Sequence, residues 1–161
     1  MEPGRAADDG AASDAAFMRL ALAQATRGAA AGEVPIGAVV VVDGVVVGAA
    51  HNAPISDCDP TAHAEIVALR GAARRAGNYR LPGAVVYVTV EPCLMCVGAL
   101  LHARVARVVY GCREPKGGAL GSVYDVGRDG RGNHRLEVTS GVCAEPAQQL
   151  LQAFFAARRG A

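Results

Sequence analysis

Residues 84–90, AVVYVTV, are apolar at nearly every position. A strand of this kind faces apolar cover on both sides, so the chain must supply at least three layers. The segments around it supply the rest. RVARVVYG reads as a second strand, and the stretch between them, after Pro92, reads as a helix. Strand, helix, strand implies a parallel pair joined by a right-handed crossover. Upstream, IGAVVVV and VVVGAA are joined by Asp43-Gly44, a strong hairpin signal. SDAAFMRLALAQATRGAAAG has Ser13 or Asp14 as a cap and Phe17, Leu20 and Ala21 at helical spacing, ending at Gly32. Asp59-Pro60 reads as the cap and first turn of a helix that runs through Arg74 and stops near Gly77. Residues 111–134 are Gly-rich without a period and predict a long loop or short helix. RLEVTSGV predicts a short last strand, and EPAQQLLQAFFAARR a closing amphipathic helix. The expected fold is α/β, a helix–sheet–helix sandwich around a mixed sheet of about five strands, antiparallel first and parallel later.

At 161 residues the chain is expected to form one domain, residues 13–159, behind a frayed tail over residues 1–12. Its first residues are small, polar and acidic, unlike a secretory signal. No apolar run approaches a membrane span, so neither membrane nor export is expected, and the cytoplasm is the expected compartment. Five cysteines make no disulfide framework. Cys58, Cys112 and Cys143 are scattered and read as small buried hydrophobes. Residues 1–65 hold three Arg against nine Asp or Glu, and residues 66–161 thirteen Lys or Arg against six acids. That asymmetry suits an anionic partner for the second half, or a solvated basic face.

Two short stretches remain that packing does not explain. PTAHAEIVALR places His63 and Glu65 at a helix start, and VEPCLMC places Cys93 and Cys96 three apart at another. A Cys-x-x-Cys pair supplies two soft zinc ligands, or a redox pair, or two core residues. At a helix start, unpaired N–H groups and the dipole favour thiolate. A second such pair is absent, so a closed four-cysteine site is not expected. His63 is the natural third ligand, leaving one open position as catalytic zinc requires. Glu65 would face water at that position and move its proton, or simply favour the helix dipole as a first-turn charge.

His-x-Glu followed by Pro-Cys-x-x-Cys is the zinc deaminase signature, here His63-Ala64-Glu65 and Pro92-Cys93-Leu94-Met95-Cys96. With EVPIGAVVV, HNAPI, NYRL, GSVYDV, NHRLEVTSGV and LLQAFFAARR, the sequence resembles the bacterial tRNA-specific adenosine deaminases along nearly its whole length. The resemblance implies a three-layer deaminase sandwich and hydrolysis of wobble adenosine to inosine. It implies one zinc ion per subunit on His63, Cys93 and Cys96, with Glu65 as the catalytic proton shuttle. It also implies a base-binding Asn52, pocket walls from Val34, Pro54 and Ala64, and a homodimer gripping the tRNA anticodon loop. Phe155, Arg158 and Arg159 match RNA-holding positions, although Phe155 is also a natural core residue. The core signature is shared with deaminases of free cytosine, guanine or deoxycytidylate, which stay as the alternative. A non-catalytic zinc-stabilised binding module is the rival from another class, and Glu65 argues against it.

Overall fold

The computed structural model describes residues 4–160. Helix α1 spans Gly4–Ala30, strands β1 and β2 span Gly37–Val42 and Val45–His51, and α2 spans Ala64–Ala76. Then come β3 at Val85–Val90, α3 at Leu94–His102, β4 at Arg107–Cys112, β5 at Glu137–Thr139 and α4 at Ala144–Arg159. The five strands form one sheet in the order β2-β1-β3-β4-β5. Its β2-β1-β3 part is antiparallel and its β3-β4-β5 part parallel, as expected from the sequence. The hairpin turns at Asp43 and Gly44, both with positive φ (49° and 76°), which suits the twist of an antiparallel pair. Its register slips by one residue between Val40 and Val41, a β-bulge.

Side-chain alternation divides the core between the two faces of the sheet. Ala38, Val40, Val86, Val88, Val108 and Tyr110 pack with Ala68, Leu69 and Ala72 of α2 and Val97 and Leu100 of α3. Val39, Val41, Tyr87 and Val109 face Met18 and Ala21 of α1 on the other side. Helix α4 covers the same side, with Ala147 against Val90 and Cys112. The AVVYVTV strand therefore lies in the middle of the sandwich.

Several expectations are corrected. Helix α1 begins at Gly4, so residues 4–12 are helical where a frayed tail is expected; residues 1–3 lie outside the described residues. Alanines favour helix there and extend it. Asp14 is not a cap but an interior residue of α1, buried and aimed at the sheet. Its carboxylate accepts from the Tyr87 hydroxyl at 2.8 Å and from Arg107 of β4 at 3.0 and 2.5 Å. Helix α2 starts at Ala64 rather than Pro60. Asp59 instead closes a tight turn, accepting from the Thr61 backbone N–H at 2.8 Å and hydroxyl at 2.7 Å. Gly77, with φ 65°, ends the helix as expected. The 111–134 stretch is a loop throughout. Cys58 is exposed, in a left-handed conformation at the end of a turn, while Cys112 is buried and Cys143 half-buried.

Burial raises the Asp14 carboxyl, but the hydrogen bonds from Arg107 and Tyr87 and the guanidinium charge outweigh it and hold it below the ordinary aspartate value. A depressed carboxyl stabilises the fold above its unfolded value and withdraws that support as pH falls through its folded one. Asp14→Ala, which strands Arg107, is expected to cost on the order of 3 kcal/mol in urea unfolding at neutral pH. Asp14→Asn should lose less stability than the parent chain as pH falls through and below the ordinary aspartate range. Parallel acid profiles for the two proteins would contradict this role.

Candidate metal centre

The site is built where two helix N-termini meet at one end of the sheet. His63 is the residue preceding α2, with extended backbone angles, and Cys93 holds the same position before α3. Neither side chain caps its own helix. For α2 the capping bond comes from elsewhere: Asn52 Oδ1 accepts the Ala64 backbone N–H at 2.8 Å. The Ala53 N–H donates to the Ala62 carbonyl at 2.9 Å and the Asn52 N–H to the Ile36 carbonyl at 3.0 Å, so Asn52 is tied on both sides. With its helix start satisfied, the His63 ring is free to face Cys93 and Cys96.

His63 Nδ1 lies 3.6 Å from Cys93 Sγ and 3.5 Å from Cys96 Sγ. The three candidate ligand atoms are all within 4.8 Å of one another. Zinc bonded tetrahedrally to nitrogen and sulfur at its usual lengths separates the two atoms by about 3.6 Å. The donor set therefore fits zinc by both spacing and chemistry: one imidazole and two sulfurs, three of zinc's usual four ligands. Cys96 is buried while His63 and Cys93 are half-buried. Hydrogen bonding with Cys96 and with His63 brings the Cys93 thiol down to about 3 against the effect of burial. The same Cys93 contact, together with burial, pushes the Cys96 thiol up. The two sulfurs thus compete for one negative charge, and a divalent cation bonded to both relieves that competition.

Glu65 lies in the first turn of α2 and is 4% exposed. Burial raises its carboxyl above the ordinary glutamate range, opposed by its own backbone N–H, the Cys96 thiol and the His63 charge. The His63 ring is raised as well: the hydrogen bond to Cys93 raises it more than burial lowers it. Val34 and Pro54 are half-buried on the two segments beside Asn52, and Ala64 is buried directly after His63. Phe155, Arg158 and Arg159 are exposed on the last turns of α4. Arg158 donates to the Gly32 carbonyl at 2.7 Å and lies 4.5 Å over the Phe154 ring, so it also pins α4 to the turn before Val34.

Two buried carboxylates escaped the sequence reading. Glu33 accepts from the Ile55 and Ser56 backbone N–H groups at 3.2 and 2.7 Å and from the Ser56 hydroxyl at 2.7 Å. Glu91 accepts from the Glu114, Leu120 and Ser122 backbone N–H groups at 3.2, 3.0 and 3.1 Å and from the Ser122 hydroxyl. Burial raises both carboxyls, and these hydrogen bonds more than reverse it. Their signal in the sequence is a single acid at the edge of a buried apolar run, Glu33 before one in GEVPIG and Glu91 after one in TVEPC.

The profile of the cytidine and deoxycytidylate deaminase zinc-binding region matches residues 11–112, which contain the whole constellation. The chain belongs to this family. The tRNA-specific adenosine deaminase of Haemophilus influenzae is 50% identical over 147 residues, 91% of this chain and 85% of that one. The Bacillus subtilis protein of the same name is 42% identical over 142 residues, 88% of each. Among solved structures, one from a study of A-to-I editing by tRNA:A34 deaminases superposes with a TM-score of 0.82 at 43% identity, covering 84% of this chain and 98% of that one. A Bacillus subtilis guanine deaminase matches at 0.60 and 39% identity over 61% of this chain and 63% of its own. The fold is the three-layer sandwich of the family, and the cofactor its donor set takes is zinc.

The purified protein is expected to carry one zinc per chain by elemental analysis, and a strong chelator should lower its melting temperature. Cys96→Ala should bind none. Stoichiometric zinc in that variant would overturn the ligand set.

Proposed function

We propose that this chain hydrolyses the wobble adenosine of a tRNA anticodon to inosine, releasing ammonia. The observation that carries the reading is the His63–Cys93–Cys96 spacing beside buried Glu65, in a chain like the tRNA-specific adenosine deaminases along most of its length. The deaminase domain is assigned to residues 13–159, and the setting to the cytoplasm. Among the described residues no helix is long and apolar enough to cross a membrane.

Zinc held by His63 Nδ1, Cys93 Sγ and Cys96 Sγ supplies Lewis-acid activation of water at neutral pH. Glu65 receives the proton of the attacking water on a carboxylate oxygen. It passes that proton to the ring nitrogen next to the attacked carbon, then takes the second proton from the hydroxyl added to that carbon and passes it to the departing amine, so that the C–N bond breaks, the carbonyl forms and ammonia leaves. Burial favours the protonated carboxyl, so the proton stays on Glu65 between the two transfers. Asn52 orients the base. Its Oδ1 is taken by Ala64, so its amide nitrogen is left to donate to an acceptor on the base edge. Val34, Pro54 and Ala64 form apolar walls around the ring. A loop nucleotide is already partly unstacked, which lowers the cost of turning it into the pocket. Phe155, Arg158 and Arg159 present an aromatic face and cations to the anticodon loop.

The partner subunit is assigned to the open groove between α2 and α3. It measures about 610 Å³ and is lined by Ile66, Leu69, Tyr79, Leu94, Met95 and Ala99 among others. Tyr79, Leu94 and Met95 are large apolar residues left 69%, 43% and 37% exposed there. A second copy of the chain covers this surface and reaches the metal site through Leu94 and Met95, which lie between the two cysteines.

The deciding assay is a wobble-adenosine anticodon stem-loop read by sequencing for inosine. Glu65→Ala should keep zinc and fold while losing turnover by a factor of at least about a hundred; normal turnover would remove Glu65 from its role. No inosine, together with ammonia release from free guanine or cytosine, would replace the tRNA reading with a free-base one. Sedimentation should give twice the chain mass for the wild type and the monomer mass for Ala99→Arg, which fills the groove. A monomeric wild type at micromolar concentration would refute the dimer.

A further inference from the structure

The 113–122 loop holds cations Arg113 and Lys116 on its exposed side and is stitched to the turn that carries Cys93. Three contacts do this. Cys93 pairs with Gly118 in an antiparallel bridge. The Ala119 N–H donates to the Pro92 carbonyl at 2.8 Å. The Glu91 carboxylate, 3% exposed, gathers the Glu114, Leu120 and Ser122 N–H groups and the Ser122 hydroxyl. Gly118 passes so close to this carboxylate that a Cβ would collide with it. At the far end of the loop, Leu120 is buried in the core with Val97 and Leu136.

Nothing in the chemistry described above uses Glu91, yet few side chains here make as many hydrogen bonds. A loop of this length has no strand or helix partner of its own. Without a common acceptor, its three amides would need water, and the loop would leave the Pro92–Cys93 turn. We propose that Glu91 is a positioning residue. It fixes the 113–122 loop as a wall of the substrate cleft beside Cys93, and so sets substrate binding rather than the proton transfers. This rests on the deaminase reading above, and concerns how that site holds its nucleic-acid substrate.

Glu91→Gln and Glu91→Ala form a graded pair. A glutamine oxygen can still accept from Leu120 and Ser122 and its nitrogen can donate to the Ser122 hydroxyl, so only the Glu114 N–H is orphaned. Alanine removes every bond. In zinc-loaded protein, amide exchange across residues 113–122 should be faster in Glu91→Gln and fastest in Glu91→Ala, with one zinc per chain retained. With the anticodon stem-loop, KM should rise roughly tenfold or more for Glu91→Ala, and less for Glu91→Gln. In both, kcat should stay within about threefold. If Glu91→Ala does not fold, Glu91→Gln alone carries the comparison. Loop exchange as in the wild type, a fall in kcat at constant KM, or loss of zinc from Glu91→Gln would each overturn the assignment. A wild type that neither binds nor edits the stem-loop would count against the tRNA reading, while the exchange measurement would still decide whether Glu91 holds the loop.

Discussion

The hydrogen bond from the Ala64 N–H to Asn52 Oδ1 is the contact on which the site depends. Helix starts normally use the side chain just before the helix to satisfy the first amides. In α2 that position is His63, whose ring faces two sulfurs instead. The cap is supplied by a residue twelve positions earlier, on the segment that follows β2. This one bond starts the helix, frees the imidazole, and occupies Asn52 Oδ1. Metal ligand, helix boundary and the Asn52 side chain are thereby fixed together.

Around that centre, carboxylates act as anchors for backbone. Glu33 holds residues 55 and 56, just past Asn52 and Pro54. Glu91 holds residues 114–122 against the cysteine turn. Glu91 sits where β3 gives way to loop and Glu33 in the turn between α1 and β1, and each is surrounded by N–H donors that stabilise its charge despite burial. Glu65 is the contrasting case. It has fewer compensating donors, and burial wins. Acids of the same type, all buried, are shifted in opposite directions by the number of amides that face them.

Much of this was legible in the sequence, for physical reasons. Val85–Val90 reads as a central strand because no position on either face is left for water. Asp43-Gly44 reads as a turn because few other pairs accept two positive φ angles. His63, Cys93 and Cys96 stand out because their types serve no packing purpose at helix starts. What the sequence hid were polar residues whose partners are distant in the chain. Asp14 looks like a cap until Arg107 and Tyr87 are beside it. Asp59-Pro60 has the letters of a helix start, but Asp59 is consumed by Thr61 and the helix waits for Ala64. Glu91 escapes the sequence reading because the amides it gathers lie up to 31 residues away.

The Asp14–Arg107 pair also bears on the order in which the chain becomes a structure. Its members are separated by 93 residues. A chain made from its N-terminus exposes α1, with its acid and the apolar stripe around Met18, long before β4 exists to receive them. The hairpin and β3 offer α1 an apolar seat and the Tyr87 hydroxyl, but no cation to balance the carboxylate. Closure of that layer is therefore a late event on the ribosome. Until Arg107 has emerged, the first helix can rest on the hairpin and β3, but its buried carboxylate has no cation beside it.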